Sequence, residues 1–274
     1  MPQRLSFLKE PLTEFRYEQK LEDPHDGLSL FGPYDADLPS HPKNITYGII
    51  GTENGISLLE DWSSEIMNQP VMGDTENKKL WPPFPGFNVA FDSEWPEKPA
   101  WQFQLDGEEL IRISHHRNPY HRAFEIVCKY LEGFDVLRKR DEAFSVIICV
   151  VPDEIWKYCR PKSRVDNPWG YLPTKYMREQ FRKGQLTLED YWSNRKGWST
   201  DKYFFSVDFR RQIKARTLTY KIPIQIIRES TLALDSSEDD RRGLTCLSDR
   251  AWNLSTALYY KAGGKPWKLA SARE

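Results

Sequence analysis

An aromatic ring and a guanidinium group stand four residues apart in the segment PDEIWKYCRP. Trp156 and Arg160 fall at the start of a predicted helix that follows a buried strand, so they share one helix face. A ring there can stack on a nucleobase, while a guanidinium and free helical N–H groups can hold a phosphate. Taken alone, the pair fits a half-buried tryptophan beside a solvated arginine better.

Two further segments offer groups that could contact a ligand. Gln225 interrupts the apolar strand IPIQII, and a buried amide there needs a partner that a ligand could supply. An outward-facing strand residue explains Gln225 equally well. Lys261 and Lys265 flank two glycines at the end of an apolar helix, where the helix dipole alone also favours cations.

The glycines of the YGIIGTENG segment lie in a predicted strand-to-helix turn. Gly48, Gly51 and Gly55 have the spacing GxxGxxxG, whereas a dinucleotide fingerprint has GxGxxG. The spacing therefore favours structural glycines over a cofactor loop.

The remaining motifs give no enzyme chemistry. His115, His116 and His121 cluster in SHHRNPYHR, but a zinc site needs a fourth ligand and supporting partners, so an exposed polar loop is favoured. The sequence has no GxSxG, HExxH or GxxxxGK[ST] motif, and its carboxylates show no acid/base spacing. We therefore expect no catalytic residues and no protein-held metal.

Composition limits the class of protein. The 274 residues carry 39 Lys and Arg against 40 Asp and Glu, a formal net charge of −1, so a nucleic-acid site must be a local basic patch. The mean hydropathy of −0.68, the lack of a long apolar run and a polar N-terminus predict a soluble, cytoplasmic protein without a membrane partner. Four dispersed cysteines without a CxxC pair indicate reduced thiols.

The elements that must position these residues alternate between strands and helices. Proline-rich residues 1–44 predict an extended arm, and the uniformly apolar Phe144–Val151 predicts a central strand covered on both faces. The other predicted strands are 45–50, 87–91, 101–105 and 222–227, and the predicted helices are 56–67, one after Pro119, DEIWKYCR, RRQIKARTL and 248–262 with Gly263 and Gly264 as its stop. This order predicts an α/β fold with a mainly parallel sheet, which binds ligands outside the carboxyl ends of its strands.

Several of these segments, taken in order, resemble the short prokaryotic Argonautes. EDPHDGLSLFGPYD and YGIIGTENG resemble the start of that class, PDEIWKYCRP and IPIQIIREST resemble its MID domain, and STALYYKAGGKPWKLA resembles the start of its PIWI domain. The resemblance implies an extended N-terminal arm at 1–44, a Rossmann-like MID domain at 45–247 with an insertion at about 162–210, and the truncated start of an RNase H-like PIWI domain at 248–274.

The resemblance also implies a binding site for the first base and 5′ phosphate of a guide strand. Its aromatic, basic, glutamine and lysine residues correspond to Trp156, Arg160, Gln225 and Lys261. The family aromatic is commonly tyrosine, so Trp156 keeps the stacking face and lacks the hydroxyl. Further contacts with nucleic acid are expected at Lys157, Lys214, Arg216 and Lys265. A Mg²⁺ ion that bridges the first guide phosphates is implied by the family alone.

By the same resemblance the chain binds a small guide RNA and a target single-stranded DNA in prokaryotic defence. Its implied partner is an APAZ-domain protein fused to a TIR, sirtuin-type or nuclease effector, with oligomerisation possible on activation. Because the sequence stops at Glu274 after the first PIWI elements, we expect no slicing and no enzyme activity of its own. A Rossmann-like enzyme that binds a phosphosugar or nucleotide and a protein-interaction scaffold are the alternatives.

The insertion is rich in aromatic residues. It carries Trp169, Tyr171, Tyr176, Phe181, Tyr191, Trp192 and Trp198 among many charges. Aromatic and arginine enrichment is typical of interface cores, so part of the insertion is predicted to contact another protein. Packing of these rings against the chain's own core is an equally good interpretation.

Overall fold

The computed structural model describes residues 10–74, 79–140, 142–170, 172, 179, 183, 200–234 and 245–270. The strands are β1 (Thr13–Glu14), β2 (Lys20–Leu21), β3 (Tyr47–Thr52), β4 (Trp101–Leu105), β5 (Val146–Val151), β6 (Ile224–Arg228) and β7 (Lys268–Leu269). The helices are α1 (Pro24–Phe31), α2 (Glu53–Trp62), α3 (Phe87–Phe91), α4 (Gly107–Ser114), α5 (Pro119–Leu137), α6 (Asp153–Tyr158), α7 (Phe209–Thr217), α8 (Glu229–Leu232) and α9 (Leu247–Lys261).

The central sheet has four parallel strands in the order β4-β3-β5-β6. All six residues of β5 are buried, and alternate side chains enter two separate core clusters, Val146 and Ile148 in one and Ile147 and Cys149 in the other. A strand that is apolar on both faces can bury both only when layers cover each side of the sheet. The α/β class, the parallel sheet and the interior position of Phe144–Val151 are therefore confirmed, and the topology is compatible with a Rossmann-like fold.

Helices cover both faces of this sheet. Helices α2, α3 and α9 contribute to one cluster, and helices α4, α5, α6 and α7 contribute to the other. Helix α5 follows its sequence signals, because the Asn118 side chain accepts from Tyr120 N, Pro119 occupies the first turn, and apolar residues recur at helical spacing. None of the helices in the described part of the chain is both long enough and apolar enough to cross a membrane.

The strand predicted at residues 87–91 is wrong, because FNVAF forms α3. Phe87, Ala90 and Phe91 are buried, which is the i, i+3, i+4 spacing of one helix face. Short apolar runs fit both periods, so the sequence alone could not separate the two. The helix predicted to run to Met67 changes at Ser63 into a π-helical turn.

Residues 10–44, the described part of the predicted arm, fold against the domain. Asp23 caps α1, Phe15 and Leu28 are buried in the core, and β1 pairs with both β2 and β7. Helix α9 belongs to that same cluster, so packing shows no break at the boundary predicted between 247 and 248. The prolines on which the predicted arm was based lie in a folded segment, and Pro24 occupies the first turn of α1.

Candidate functional site

Three guanidinium groups surround the half-buried ring of Trp156. The Cζ atoms of Arg160, Arg210 and Arg228 lie 5.4, 5.8 and 5.4 Å from the ring centroid. Arg160 Nε also donates to the main-chain oxygen of Trp156 at 2.6 Å. These distances allow cation–π attraction between the indole ring and each guanidinium group, which offsets part of the repulsion among the three positive charges.

Trp156, Arg210 and Arg228 lie close together because each stands near an end of its helix or strand, at the same edge of the sheet. Trp156 lies on α6, directly after β5, and Arg228 is the last residue of the neighbouring strand β6. Arg210 lies in the first turn of α7, whose N-terminus is capped by the Asp208 side chain. The carboxyl ends of adjacent parallel strands meet at one edge, which brings these side chains together.

Lys261 and Gln225 extend this cluster. Lys261 Nζ donates to the main-chain oxygen of Ile224 at 2.6 Å and to Gln225 Oε1. Gln225 lines a pocket of about 350 Å³ together with Trp156, Arg210 and Arg228, and we call it the Trp156 pocket. The four residues predicted from the resemblance thus form two contacting pairs, Arg160 with Trp156 and Lys261 with Gln225. One member of each pair, Trp156 and Gln225, lines the pocket.

The ammonium of Lys261 sits in a cationic environment. Burial, together with the positive charges of Lys214 and Arg210, lowers its pKa from 10.5 to about 8. Its two hydrogen-bond partners are uncharged oxygens, so the positive charge has no compensating carboxylate there. An anion bound nearby would raise this pKa and so favour the charged form of the lysine.

A Schellman motif fixes the end of α9 and with it Lys261. Gly263 has φ of 98°, its N–H bonds to the oxygen of Tyr260 at 3.2 Å, and the N–H of Gly264 bonds to that of Tyr259 at 3.0 Å. The glycine stop predicted from the sequence is therefore present. A Cβ at Gly264 would lie 2.4 Å from the Tyr259 ring, so that ring, and not a ligand, occupies the space beside this glycine.

The charge of this pocket is strongly one-sided. No carboxylate is found among the described residues that line it. Asp153 reaches the cluster from outside, 3.9 Å from Arg228 Nη1, and its two oxygens already accept hydrogen bonds from the main chain and the hydroxyl of Ser230. This excess of positive charge favours an anionic ligand.

Two of the residues expected to add contacts lie outside this cluster. Lys157 is exposed over the Tyr158 ring at 4.9 Å. Arg216 points to the opposite side of α7, where Nη1 bonds to Gln212 Oε1 at 3.0 Å and Cζ lies 4.7 Å from the Phe124 ring. These contacts give Arg216 a structural role.

Of the other two expected residues, Lys214 lies near Lys261 and Lys265 lies near α9. Lys214 acts electrostatically on Lys261 and so belongs to the cationic cluster. Lys265 lines a neighbouring groove on α9. Arg210 and Arg228 were not among the residues predicted from the sequence. The basic helix RRQIKARTL and the position of Arg228 at the end of a strand are the features that could have indicated them.

The N-terminus of α6 is poorly suited to the phosphate that was expected there. The helix has six residues, its first turn carries Asp153 and Glu154, and the N–H groups of Ile155 and Trp156 bond to the oxygen of Pro152 at 3.1 and 3.3 Å. Two carboxylates at this end disfavour an anion.

The other half of the same sheet edge is acidic. A crevice of about 970 Å³ lies over the carboxyl ends of β3, β4 and β5. It includes the point between β3 and β5 where the strand order reverses, at which open α/β sheets commonly bind ligands. Its carboxylates are Glu53, Asp106, Glu108, Glu154 and Glu229. Thr52 Oγ1 donates to Glu229 Oε1 at 2.7 Å, and burial raises the pKa of Glu229. A nucleotide phosphate would meet these groups unfavourably.

The glycines beside this crevice have structural reasons to be glycine. A Cβ at Gly55 would lie 2.9 Å from Val150 Cγ1 and 3.1 Å from Glu229 Oε1, and one at Gly48 would lie 2.9 Å from Ile147 Cδ1. Close packing of β3 and α2 against β5 requires their small size. The structural interpretation of GxxGxxxG therefore has direct support.

The histidine cluster differs from the exposed loop that was predicted. His116 is only 4% exposed, its ring stacks on His121 with centroids 3.9 Å apart, and Trp169 covers it edge-on at 4.6 Å. Burial and the neighbouring His121 lower the pKa of His116 to about 4. Aromatic packing explains this cluster, and in the described part of the chain no group of three or more His, Cys, Asp or Glu side chains is placed to hold a metal.

The donor set of the Trp156 pocket also does not fit a protein-held Mg²⁺. Magnesium prefers carboxylate oxygens, and the described lining has none. Its neutral side-chain oxygens are those of Gln225, Thr231, Thr245 and Asn253, of which that of Gln225 already accepts from Lys261. The Mg²⁺ that the resemblance implies is bridged by guide phosphates, and it stays a prediction.

The described ends of the predicted insertion pack on the domain. Trp169 Nε1 donates to the oxygen of Arg112 at 2.8 Å, Tyr203 OH accepts from Asn118 Nδ2 at 2.7 Å, and the Phe205 ring lies 5.5 Å from that of Phe124. Tyr171, Tyr176, Phe181, Tyr191, Trp192 and Trp198 lie outside the described residues. The predicted partner contact of the insertion stays a prediction.

No protein-family model matches this chain, and no curated protein sequence matches it.

Proposed function

We propose that this chain binds the phosphorylated 5′ end of a single-stranded nucleic acid in the Trp156 pocket, as the guide-binding part of a short prokaryotic Argonaute. The observation that carries the proposal is the convergence of Arg160, Arg210 and Arg228 on one indole, with no carboxylate among the described lining residues. Lys261 adds a further cation next to this pocket, because it bonds to the lining residue Gln225. Nucleic-acid sites combine such cations with an aromatic ring.

A terminal phosphate fits the available donors. Lys261 uses two of its three donors on Ile224 O and Gln225 Oε1, so one is left for a phosphate oxygen. The guanidiniums of Arg210 and Arg228 offer planar pairs of N–H groups that match phosphate geometry. A terminal phosphate carries a charge near −2 at neutral pH, one more than an internal phosphodiester, so this cluster favours a strand end.

Trp156 supplies the neutral part of the proposed recognition. Its ring is half-buried and lines the pocket, so a base can lie against the part that the guanidiniums leave open. Gln225 Nε2, 3.3 Å from the oxygen of Ile226, is an uncharged donor beside it. Stacking of this kind tolerates any base, so weak sequence preference is expected.

The wider biology of the proposal comes from the sequence resemblance. The guide is then an RNA, the target a single-stranded DNA, and the partner an APAZ-domain effector protein in the cytoplasm. The chain would sense the target, and the partner would supply the enzyme activity.

The decisive experiment compares one RNA with a 5′ phosphate and with a 5′ hydroxyl. Each charge-assisted contact with phosphate contributes about 1.5 to 3 kcal/mol, so removal of the phosphate should weaken binding at least tenfold. Arg216→Ala serves as the matched control, because this arginine faces away from the pocket. Equal affinity for the two RNAs would overturn the proposal.

The enzyme alternative has weaker support. Its ligand would occupy the strand-order reversal between β3 and β5, and that crevice carries five carboxylates. A free nucleoside monophosphate that binds the wild-type chain as tightly as the phosphorylated RNA would favour this alternative.

A further inference from the structure

A second groove runs along α9 next to the Trp156 pocket. It has a volume of about 520 Å³, and its walls include Trp252, Tyr260 and Trp267, with Lys265 at the rim. Tyr260 is 68% exposed although it is a large aromatic residue. The groove thus presents accessible ring surface beside a cation.

Asn253 connects the two sites, because its side chain lines both. Asn253, Thr256, Ala257 and Tyr260 follow the i, i+3, i+4, i+7 spacing of a single helix face, so they form a continuous stripe. Seven residues of helix correspond to about 10 Å between Asn253 and Tyr260. The small side chains of Thr256 and Ala257 form the floor between them.

The polar groups along this stripe are available for a ligand. Within the described part of the chain, the Asn253 amide and the Lys265 ammonium make no hydrogen bond or ion pair with another side chain. No carboxylate lines either site among the described residues, whereas five line the crevice at β3 and β4. The described lining of the two adjoining sites therefore carries positive charge and no carboxylate, which favours binding of a polyanion.

We infer that the nucleic-acid strand leaves the Trp156 pocket over Asn253 and stacks its following bases on Tyr260 and Trp267 in the α9 groove. This inference rests on the proposed function and extends it from the strand end to the next nucleotides. Alternating cations and exposed rings are the features that bind single strands without sequence preference. Asn253 marks the crossing point, and Lys265 contacts a later phosphate.

The test uses the full chain and 5′-phosphorylated oligoadenylates of two and eight nucleotides, with affinities from calorimetry. Tyr260→Ala should weaken the octanucleotide about 5- to 150-fold, the range for loss of one stacked base, and leave the dinucleotide unchanged. Tyr17→Ala is the matched control, because Tyr17 is 67% exposed and lines neither site. Thermal unfolding confirms that both variants fold.

Lys265→Ala gives an independent measurement. It should reduce the slope of log affinity against log salt by about 0.7 for the octanucleotide and leave that of the dinucleotide unchanged. Equal effects of Tyr260→Ala on both lengths, or no effect on either, would overturn the inference, and the second result would favour a protein partner in the groove.

The same ligands separate this inference from the proposed function. If removal of the 5′ phosphate from the octanucleotide leaves its affinity unchanged, the proposed function fails, whatever Tyr260→Ala does to the length dependence. If phosphate removal weakens binding and Tyr260→Ala changes the affinities of the octanucleotide and the dinucleotide equally, only the inference about the α9 groove is overturned. If the wild-type chain binds neither RNA, both are overturned.

Discussion

The ammonium of Lys261 donates a hydrogen bond of 2.6 Å to the main-chain oxygen of Ile224, which joins the last turn of α9 to strand β6. The same ammonium donates to Gln225 Oε1 on the next residue of that strand. A partly buried cation that meets only neutral acceptors is costly unless a negative charge comes close. A negatively charged ligand close to Lys261 would therefore stabilise the charged form of this side chain, which the fold holds in place.

The first prediction concerns the pH dependence of RNA binding. With a pKa of about 8, Lys261 is mostly charged at pH 7 and mostly neutral at pH 9. A terminal phosphate, with its second pKa near 6, keeps its charge over that range. Affinity for a 5′-phosphorylated oligoadenylate should therefore fall about tenfold from pH 7 to pH 9 at constant ionic strength, as measured by fluorescence anisotropy.

Lys261→Arg is the control for this titration. Arginine stays protonated throughout, so its affinity should be nearly flat between pH 7 and pH 9. The assignment fails if the arginine variant shows the same fall as the wild type, or if the wild type shows none.

The second prediction separates two arginines of α7. Arg210 lies against Trp156, whereas Arg216 bonds to Gln212 and packs on Phe124. Arg210→Ala should cost about 1.5 to 3 kcal/mol of RNA-binding free energy and reduce the salt slope by about 0.7. Arg216→Ala should lower the melting temperature and leave RNA affinity unchanged. Calorimetric titration at several salt concentrations checks both, and the reverse pattern would place the site on the other side of α7.

Much of the fold was predictable because apolar patterning decides it. Val146–Val151 is uniformly apolar and can be stable only between two covered faces. Residues 118–137 combine a cap, a proline and a helical period. Residues 87–91 were mispredicted because five apolar-rich residues satisfy both periods, and only the neighbouring core selects the helix. The packing of residues 10–44 depends on contacts with distant residues such as those of β7, which no local pattern contains.

The site was predictable in part. Trp156, Arg160, Gln225 and Lys261 came from motif resemblance, and the structure places them in one neighbourhood. Arg228 had no local signal beyond its place at a strand end, because its nearness to Trp156 depends on β5 and β6 being neighbours. The burial of His116 likewise depends on Trp169, which is more than 50 residues away in the sequence.

The third prediction tests the structural interpretation of the glycines. Gly55→Ala would place a Cβ 2.9 Å from Val150 Cγ1, so we expect it to destabilise the fold by about 1 to 3 kcal/mol. Gly107→Ala is the matched control, because its nearest neighbour is 3.5 Å away and alanine favours the helix. Denaturant titration measures both, and a Gly55→Ala variant of normal stability that loses nucleotide binding would instead support a cofactor loop.

The last prediction concerns the ring of Trp156. Trp156→Leu removes the aromatic face and keeps an apolar side chain, so it should lower RNA affinity by about 1 to 3 kcal/mol through loss of base stacking, with little dependence on the identity of the first base. Trp156→Phe retains a ring and should recover a large part of that loss. Because neither substitution removes a cation, both variants should keep the salt slope of the wild type. Anisotropy titrations at several salt concentrations measure affinity and slope together. A reduced slope in Trp156→Leu alone would show that the ring acts by holding Arg160, Arg210 and Arg228 in place for phosphate, and the base would then need another stacking partner.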